Sequence, residues 1–297
     1  MSFEGILIQT LSGLSMGMIL FIVASGLIII FSILEVLNLA HGSIYMIGAY
    51  LTYQFAAKFF GNSSWGFWVA LMVAPLLCAI ISLVIEVLLL RSMYQRELLY
   101  QFILTFGLIF IISDIVKLIW GSNYMMLGAP VYLRGPLRWG SVVFPKYNIL
   151  AIGLGLLVYI FLFLLFQKTK IGVILRAATT DREMLSVLGK NVPLVYTLTF
   201  MLGSFLAGLG GAVMAPMATI APGIDGAVLV LCFVVVVIGG FGSITGSLIA
   251  ALLVGIVQTW GIVLLPRMAL VFPFILMALV LIFRPWGLMG RKMEPKS

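Results

Sequence analysis

Charged residues are scarce in this chain of 297 residues: only 9% are charged, while 63% are hydrophobic. That many apolar side chains exceed what one soluble core of this length could bury. Lipid is therefore expected to be the solvent for most of the chain. The net charge of +8 could suggest nucleic-acid binding. However, the basic residues lie in short connectors between apolar runs and form no continuous stripe, so no nucleic-acid partner is expected.

Cysteine and histidine are almost missing, with two of the first and one of the second. Cys78 and Cys232 lie inside apolar runs, where a thiol behaves as a small hydrophobe. The single His41 excludes a metal held by two imidazoles of this chain. The sequence also lacks a zinc-protease motif, a pair of membrane aspartates and a serine-hydrolase elbow. We expect neither catalysis nor a bound metal or cofactor in this chain.

What the chain does contain is a series of long apolar runs. Because a hydrocarbon core of about 30 Å needs roughly 20 apolar residues per helix, the sequence predicts an all-α, polytopic transmembrane helical bundle. Residues 1–297 form one transmembrane domain with about eight or nine spans, and the first run is retained because no basic signal-peptide region precedes it. The predicted spans are 8–33, 39–60, 67–90, 101–120, 148–167, 195–217, 228–240, 247–265 and 269–283.

Lysine and arginine are distributed unevenly between the two sides that nine spans would create. Lys58, Lys117, Arg134, Arg138, Lys146 and Arg267 lie on one side, and the remaining eleven of the 17 Lys and Arg residues lie on the other. The positive-inside rule makes the second side cytoplasmic. The N-terminus is then outside and the C-terminus in the cytoplasm, whereas an even number of spans would move one terminus.

The longest cytoplasmic connector covers about residues 168–192. Asp181-Arg182-Glu183 followed by an apolar stretch predicts a short helix with acidic residues in its first turn. Gly189 supplies a stop for this helix, and Pro193 disfavours its continuation. Such an amphipathic helix could dock into a groove of a soluble partner or lie on lipid headgroups, and both alternatives stay open.

Several segments together resemble one transporter family. They are Arg176-Ala177-Ala178, Asp181-Arg182-Glu183, Leu188-Gly189-x-Asn191, Gly26–Phe31, Asn38–Ser43, Ile238–Gly246 and Arg284-Pro285-x-Gly287-Leu288. With these segments the chain resembles the branched-chain amino acid class of ABC transporter permeases, and its length favours the shorter, LivH-type subunit.

The resemblance implies a set of partners and a division of labour. The implied partners are a second homologous permease, two ATP-binding subunits and an extracytoplasmic solute-binding protein, in a bacterial cytoplasmic (inner) membrane. ATP would be used by the partner subunits, and the solute would be a branched-chain or related small amino acid. Urea or another small amide, or an ion-coupled secondary transporter, remains the alternative. The residues implied in coupling to the ATPase are Arg176, Asp181, Arg182, Glu183, Gly189 and Asn191.

Two glycine- and serine-bearing segments are candidates for a pathway or hinge. Short or interrupted helices are typical of transporter pathways, because unwound backbone is tolerated only beside protein or water. One segment lies between the first two spans, where Asn38 and His41 would share a face of a helix and the His41 ring could bond backbone freed at the break. The other follows a short apolar run. The candidate residues are Asn38, His41, Gly42, Ser43, Gly239, Gly240, Gly242 and Ser243.

Charged and small residues inside the predicted spans give further local expectations. Asp114 and Lys117, three residues apart, are expected to form a structural pair. Glu86 and Arg91 are five apart, a poor match for an α-helix. Rows of small residues from Ser204 to Ala212 should let the sixth span pack deep in the bundle, and Gly13-x-x-x-Gly17 is a weaker version of the same pattern. Pro216, Pro222 and Gly223 are expected to shape an outer connector before Asp225.

Overall fold

Helices account for most of the chain. The computed structural model describes residues 3–61, 63–94, 96–139, 142–180 and 182–290, with the side chains of these residues except Phe3, Ser64, Trp139, Thr180, Arg182, Glu183 and Met184. The α-helices in this part are α1 (Phe3–Leu34), α2 (His41–Tyr53), α3 (Ser64–Ile85), α4 (Leu98–Trp120), α5 (Lys146–Lys168), α6 (Lys170–Thr180), α7 (Arg182–Val187), α8 (Val192–Met214), α9 (Ile224–Gly239), α10 (Ile244–Leu264) and α11 (Phe272–Phe283).

Each of the nine predicted spans coincides with one of these helices. Within the described residues, six helices are long and apolar enough to cross a membrane: α1, α4, α5, α8, α10, and α3 with its extension to Met93. Helices α9 and α11 are apolar but shorter, and α2 is lengthened by a π-helical turn over Gln54–Phe59. The chain is therefore a multi-pass helical membrane protein, and the total of eight or nine spans stays a prediction.

One connector departs from the helical pattern of the bundle. Between α4 and α5, strands β1 (Pro136–Trp139) and β2 (Val142–Pro145) form an antiparallel hairpin in which Pro136 is opposite Pro145. Proline fixes φ and removes a backbone donor, so a stretch bounded by prolines cannot continue a helix. An extended hairpin satisfies its backbone groups instead.

Helix α1 is the central element of the bundle rather than a peripheral one. Its most apolar window is 89% buried by protein, as is typical of a helix that is hydrophobic on all sides. A Cβ added to Gly13 would lie 2.8 Å from the Cα of Ile256, and one added to Gly17 would lie 2.9 Å from the Cα of Leu252. The small residues of α1 thus bring its backbone directly against α10.

Helix α8 packs deep in the bundle, as its small residues predict. A Cβ on Gly203 would lie 2.7 Å from the carbonyl oxygen of Gly26, and one on Gly208 would lie 2.7 Å from the Cβ of Cys78 in α3. Gly210 faces Val23, so α8 runs antiparallel to α1. Small residues at such positions let two helix backbones approach closely.

Two short helices begin in the interior of the bundle. Residues 35–40 are not helical, and the first turn of α2 contacts Val23 and Gly26 in the middle of α1. The first turn of α9 contacts the first turn of α2, because a Cβ on Gly42 would meet the backbone of Asp225. The units α1–α3 and α8–α10 each consist of a long helix, a break, a short helix and another long helix. The two units run in opposite directions through the bundle, which is the arrangement of an inverted repeat.

Candidate functional site

The connector between α5 and α8 is helical over most of its length. The bounds 168–192 agree with the end of α5 at Lys168 and the start of α8 at Val192. Two helices, α6 and α7, occupy it where one was predicted. Leu175, Ala178 and Leu185 are buried on its inner face, and Gly172 packs on the backbone of Phe166 at the end of α5.

Gly189 and Asn191 have clear local roles in this connector. Gly189 has a φ of +74°, and its N–H donates to the carbonyl of Ser186, while the N–H of Lys190 donates to the carbonyl of Leu185. These two hydrogen bonds form the Schellman motif that ends a helix. Asn191 Oδ1 then accepts from the N–H of Leu194 at 3.1 Å and caps α8. The predicted stop at Gly189 is confirmed.

The other predicted coupling residues are distributed along the same connector. Arg176 lies on the exposed face of α6. The backbone of Arg182 and Glu183 lies in the first turn of α7, and their side chains, like all of Asp181, lie outside the described residues. Among the described parts, Arg176 belongs to α6, the backbone of Arg182 and Glu183 to α7, and Gly189 and Asn191 to the turn between α7 and α8.

Two apolar side chains at the end of α7 are left uncovered. Val187 is 82% exposed and Leu188 is 68% exposed. Both precede the Gly189 turn, and Leu185 in the same helix is 4% exposed. A buried residue thus anchors α7 to the bundle, while its end presents an apolar pair.

The break before α2 is held by polar contacts to backbone. Asn38 Oδ1 accepts from the N–H of Ala40 at 3.1 Å, so Asn38 belongs to the turn and does not share a helical face with His41. The ring of His41 donates through Nε2 to the carbonyl oxygen of Val23 at 2.9 Å. The acceptor is a backbone group, as expected, but it lies inside α1 rather than at the break.

Asp225 is a buried residue of this site that the sequence placed elsewhere. It lies in the first turn of α9, is 5% exposed, and accepts a hydrogen bond of 2.8 Å from Ser43 Oγ. Ser43 itself is fully buried. Pro222 and Gly223 just before α9 indicated an outer loop, and the only sequence signal of burial was the apolar run that follows Asp225.

The Gly239–Ser243 turn lies at the opposite end of α9. Gly240 and Gly242 have φ values of +89° and +83°, and Ser243 Oγ caps α10 by accepting from the N–H of Gly246. The C-terminal segment packs here, with the N–H of Leu288 donating to Ile238. Because α9 rises about 1.5 Å per residue, the turn is about 21 Å from Asp225. The two predicted pathway segments therefore do not form one polar site, although Leu39 and Phe241 line the same apolar cavity.

A polar cluster joins the ends of α3 and α8. Glu86 is fully buried and accepts from Tyr94 Oη at 2.9 Å, Thr197 Oγ1 at 2.8 Å and Arg91 at 3.4 Å. Residues 86–90 form a π-helical turn, which brings residues five apart onto one face and explains a pair that α-helical spacing disfavours. Burial, with the charge of Glu86 and its hydrogen bond, raises the pKa of Tyr94.

The expected pair between Asp114 and Lys117 is confirmed at 3.0 Å, and both side chains are largely exposed. It stands apart from the connector and the break. Contacts at its end of the bundle join Trp120 with Gln54 and Tyr147 with Val213. The Glu86 cluster and the connector occupy the other end.

Comparison with known proteins decides the family of this bundle. The family of permease components of branched-chain amino acid transport systems matches residues 9–281. The chain belongs to this family. The match covers the helices from α1 to nearly the end of α11, including the connector, the break before α2 and the Gly239–Ser243 turn. Membership identifies the chain as a transport subunit and not a catalytic enzyme, as the sequence predicted.

Named relatives extend over nearly the same residues. The chain is 29% identical over 295 residues to the high-affinity branched-chain amino acid transport system permease protein BraD of Pseudomonas aeruginosa, covering 95% of each chain. It is 28% identical over 298 residues to the permease protein LivH of Salmonella typhimurium, again with 95% of each covered. A probable LivH of Methanocaldococcus jannaschii is 25% identical over 81% of this chain and 76% of its own. No solved structure matches the chain significantly.

Proposed function

We propose that this chain is the LivH-type, membrane-spanning permease subunit of an ATP-driven importer for branched-chain or related small amino acids. The match of the permease family to residues 9–281 carries this proposal. BraD and LivH are named for high-affinity branched-chain amino acid transport and align over 95% of this chain. The partners are a second homologous permease, two ATP-binding subunits, an extracytoplasmic solute-binding protein and surrounding lipid.

The connector of α6 and α7 is the part that we assign to coupling with the ATP-binding subunits. Leu185 fixes α7 to the bundle, and Val187 and Leu188 next to it are exposed. Exposed apolar anchors on a short helix are suited to a groove on a partner. The Schellman turn at Gly189 joins α7 rigidly to the capped start of α8. A displacement of α7 would therefore be passed to α8, which contacts α1, α2 and α3.

The distribution of helix ends supports a cytoplasmic position for this connector. The start of α8 contacts Glu86 and Arg91 at the end of α3, so these ends lie on the same side. This side has the greater number of Lys and Arg residues, among them Arg91, Lys168, Lys170, Arg176 and Lys190. The positive-inside rule makes such a side cytoplasmic. We therefore propose an inner-membrane protein with eight or nine spans. With nine spans, its N-terminus is outside and its C-terminus is in the cytoplasm.

The test is purification of the tagged chain from its native membrane in a mild detergent, with mass spectrometry of the proteins that copurify. Leu188→Asp should abolish recovery of the ATP-binding subunits, because it puts a charge on an apolar contact, while recovery of the second permease is retained. Lys190→Gln, two residues away and also exposed, is the matched control. Reproducible recovery of the intact chain without any ATPase would contradict the proposal.

Solute flux separates the remaining alternatives. In proteoliposomes that contain the complete complex, leucine uptake should require ATP on the side of the membrane where the ATP-binding subunits lie. Uptake that needs an ion gradient and no ATP would favour a secondary transporter, for which the buried Asp225 would be the natural coupling group. Uptake of urea but not of leucine would favour the small-amide alternative.

A further inference from the structure

The first turns of α2 and α9 meet in the interior of the bundle. Gly42 has no side chain, so the backbone of α2 lies against the carbonyl of Asp225, and Ser43 Oγ donates to Asp225 Oδ2. Neither helix has a side-chain cap at its N-terminus. The first N–H groups of a helix have no intrahelical partner, and they give this end a partial positive charge. Residues Asn38–Ser43 and Ile224–Asp225 are called the junction below.

The junction contains a buried carboxylate without a cation. Within the described residues, salt bridges join Arg91 to Glu86 and Lys117 to Asp114, and none reaches Asp225. A buried carboxylate whose contact is a neutral hydroxyl is costly unless a cation or further donors neutralise it. The positive N-terminal end of α9 offsets part of this cost, and a positively charged group on Asp225 would offset the rest.

A second, independent observation concerns donors on the same side of the junction. Asn38 is 1% exposed, and its Nδ2 has no hydrogen-bond partner among the described residues. Its Oδ1 holds the N–H of Ala40 at the start of α2, so the amide group lies over the end of that helix. A buried amide donor without an acceptor is rare in proteins. Together with the uncapped helix end it is suited to a carboxylate.

An apolar cavity begins beside the same segment. It has a volume of about 370 Å³. Its lining includes Leu37 and Leu39, the two neighbours of Asn38, and extends along α9 through Phe233 and Val236 to Phe241 in the turn after that helix. The part beside Leu37 and Leu39 is the part next to the junction. An apolar side chain attached to a zwitterionic head group at the junction would have space on this side.

We propose that the junction binds the charged groups of a zwitterionic amino acid during transport, with Asp225 taking the ammonium group and Asn38 Nδ2 and the N-terminus of α2 taking the carboxylate. This inference rests on the importer function proposed above. Asn38, His41 and Ser43 are at most 1% exposed, so the junction is closed in this structure. The ligand enters when the hydrogen bond between Ser43 and Asp225 separates, and its ammonium group then takes the place of the hydroxyl.

Three probes of related shape test the two charged contacts separately. The complex, purified in mild detergent without the extracytoplasmic binding protein, is titrated with leucine, with 3-methylbutylamine, which lacks the carboxylate, and with 4-methyl-2-oxopentanoate, which lacks the ammonium group. The readout is the concentration that gives half of the maximal rise in melting temperature. Each analogue should need at least about tenfold more than leucine, because each leaves one buried group unpaired.

Substitutions assign each contact to a residue. Asp225→Asn should raise the half-maximal leucine concentration at least about tenfold and leave that of the oxo acid unchanged. Asn38→Asp keeps Oδ1 but puts an anion where the carboxylate of the ligand binds. Binding of leucine and of the oxo acid should therefore weaken, while binding of 3-methylbutylamine should not. Asp114→Asn, an exposed position far from the junction, is the matched control and should change nothing.

Several results would overturn the proposal. It fails if the wild-type complex shows no effect of leucine, or if Asp225→Asn leaves the leucine concentration unchanged or weakens all three probes equally. It also fails if leucine raises the melting temperature of the wild type in sodium chloride but not in choline chloride, and if Asp225→Asn removes this dependence on sodium. The Asp225 carboxylate would then hold an inorganic cation. Should Asp225→Asn not fold, Asn38→Asp carries the test through its selective pattern. If Asp225→Asn leaves ATP-driven leucine uptake intact, the proposed binding site at the junction is refuted, whereas the proposed importer function is retained.

Discussion

Replacing Gly203 by alanine tests the central contact between α1 and α8. A Cβ at this position would lie 2.7 Å from the carbonyl oxygen of Gly26 and 2.6 Å from Cδ1 of Ile30. Real Cβ contacts essentially never fall below 3.0 Å. Ile30 is fully buried, and the carbonyl oxygen of Gly26 is backbone and cannot rotate away, so the two helices would have to separate.

The expected magnitude combines a gain and a loss. Alanine stabilises a helix interior by about 1 kcal/mol relative to glycine. Overpacking a tight core costs about 1–3 kcal/mol, and the upper end applies where the obstacle is backbone. Gly203→Ala should therefore lower the free energy of unfolding by about 2 kcal/mol.

Gly107→Ala is the matched control, because a Cβ on Gly107 in α4 meets no atom within 4 Å. This variant should show only the helix gain, so the two variants should differ by about 3 kcal/mol. The assay is equilibrium unfolding of the purified chain in mixed micelles by titration with a denaturing detergent, followed by circular dichroism. Equal stabilities of the two variants would refute the close approach of α1 and α8.

Three further predictions concern the ends of helices, and the same unfolding assay measures all of them. Glu86→Gln removes the charge that Arg91 and two hydroxyl groups contact, and it should destabilise by about 1–3 kcal/mol, whereas Gln at the exposed Glu97 should have no effect. Gly189→Ala should lower the free energy of unfolding by about 1 kcal/mol. The cause is the left-handed backbone alone, since a Cβ at this position would meet no atom within 4 Å. Gly189→Asn should lose less, and equal losses would contradict a conformational role. Asp114→Asn breaks an exposed ion pair and should cost less than about 1 kcal/mol; a larger loss would show that Asp114 is not lipid- or solvent-exposed.

Features that depend on neighbouring residues could be predicted from the sequence. The nine apolar segments follow from the length that a bilayer requires. The end of α7 at Gly189 and the Asp114–Lys117 pair each involve residues within one or two turns of a helix. Among the candidate site residues, the local role of Gly189 was accessible in this way. The hairpin before α5 was not, because four-residue strands between prolines carry little periodicity.

Features that depend on residues far apart in the chain required the tertiary structure. Ser43 and Asp225 are 182 positions apart, and Glu86 and Thr197 are 111 apart, so no local pattern links them. The central position of α1 was also hidden, because an apolar side chain is equally suited to lipid and to protein and hydropathy does not distinguish them. The sequence by itself determined that the chain is a membrane bundle with a long basic connector. Which helix ends meet in the interior was decided only by the tertiary structure, where helices pack closely at glycine residues. Hydrophobic periodicity does not predict such a contact, because it is made by backbone atoms.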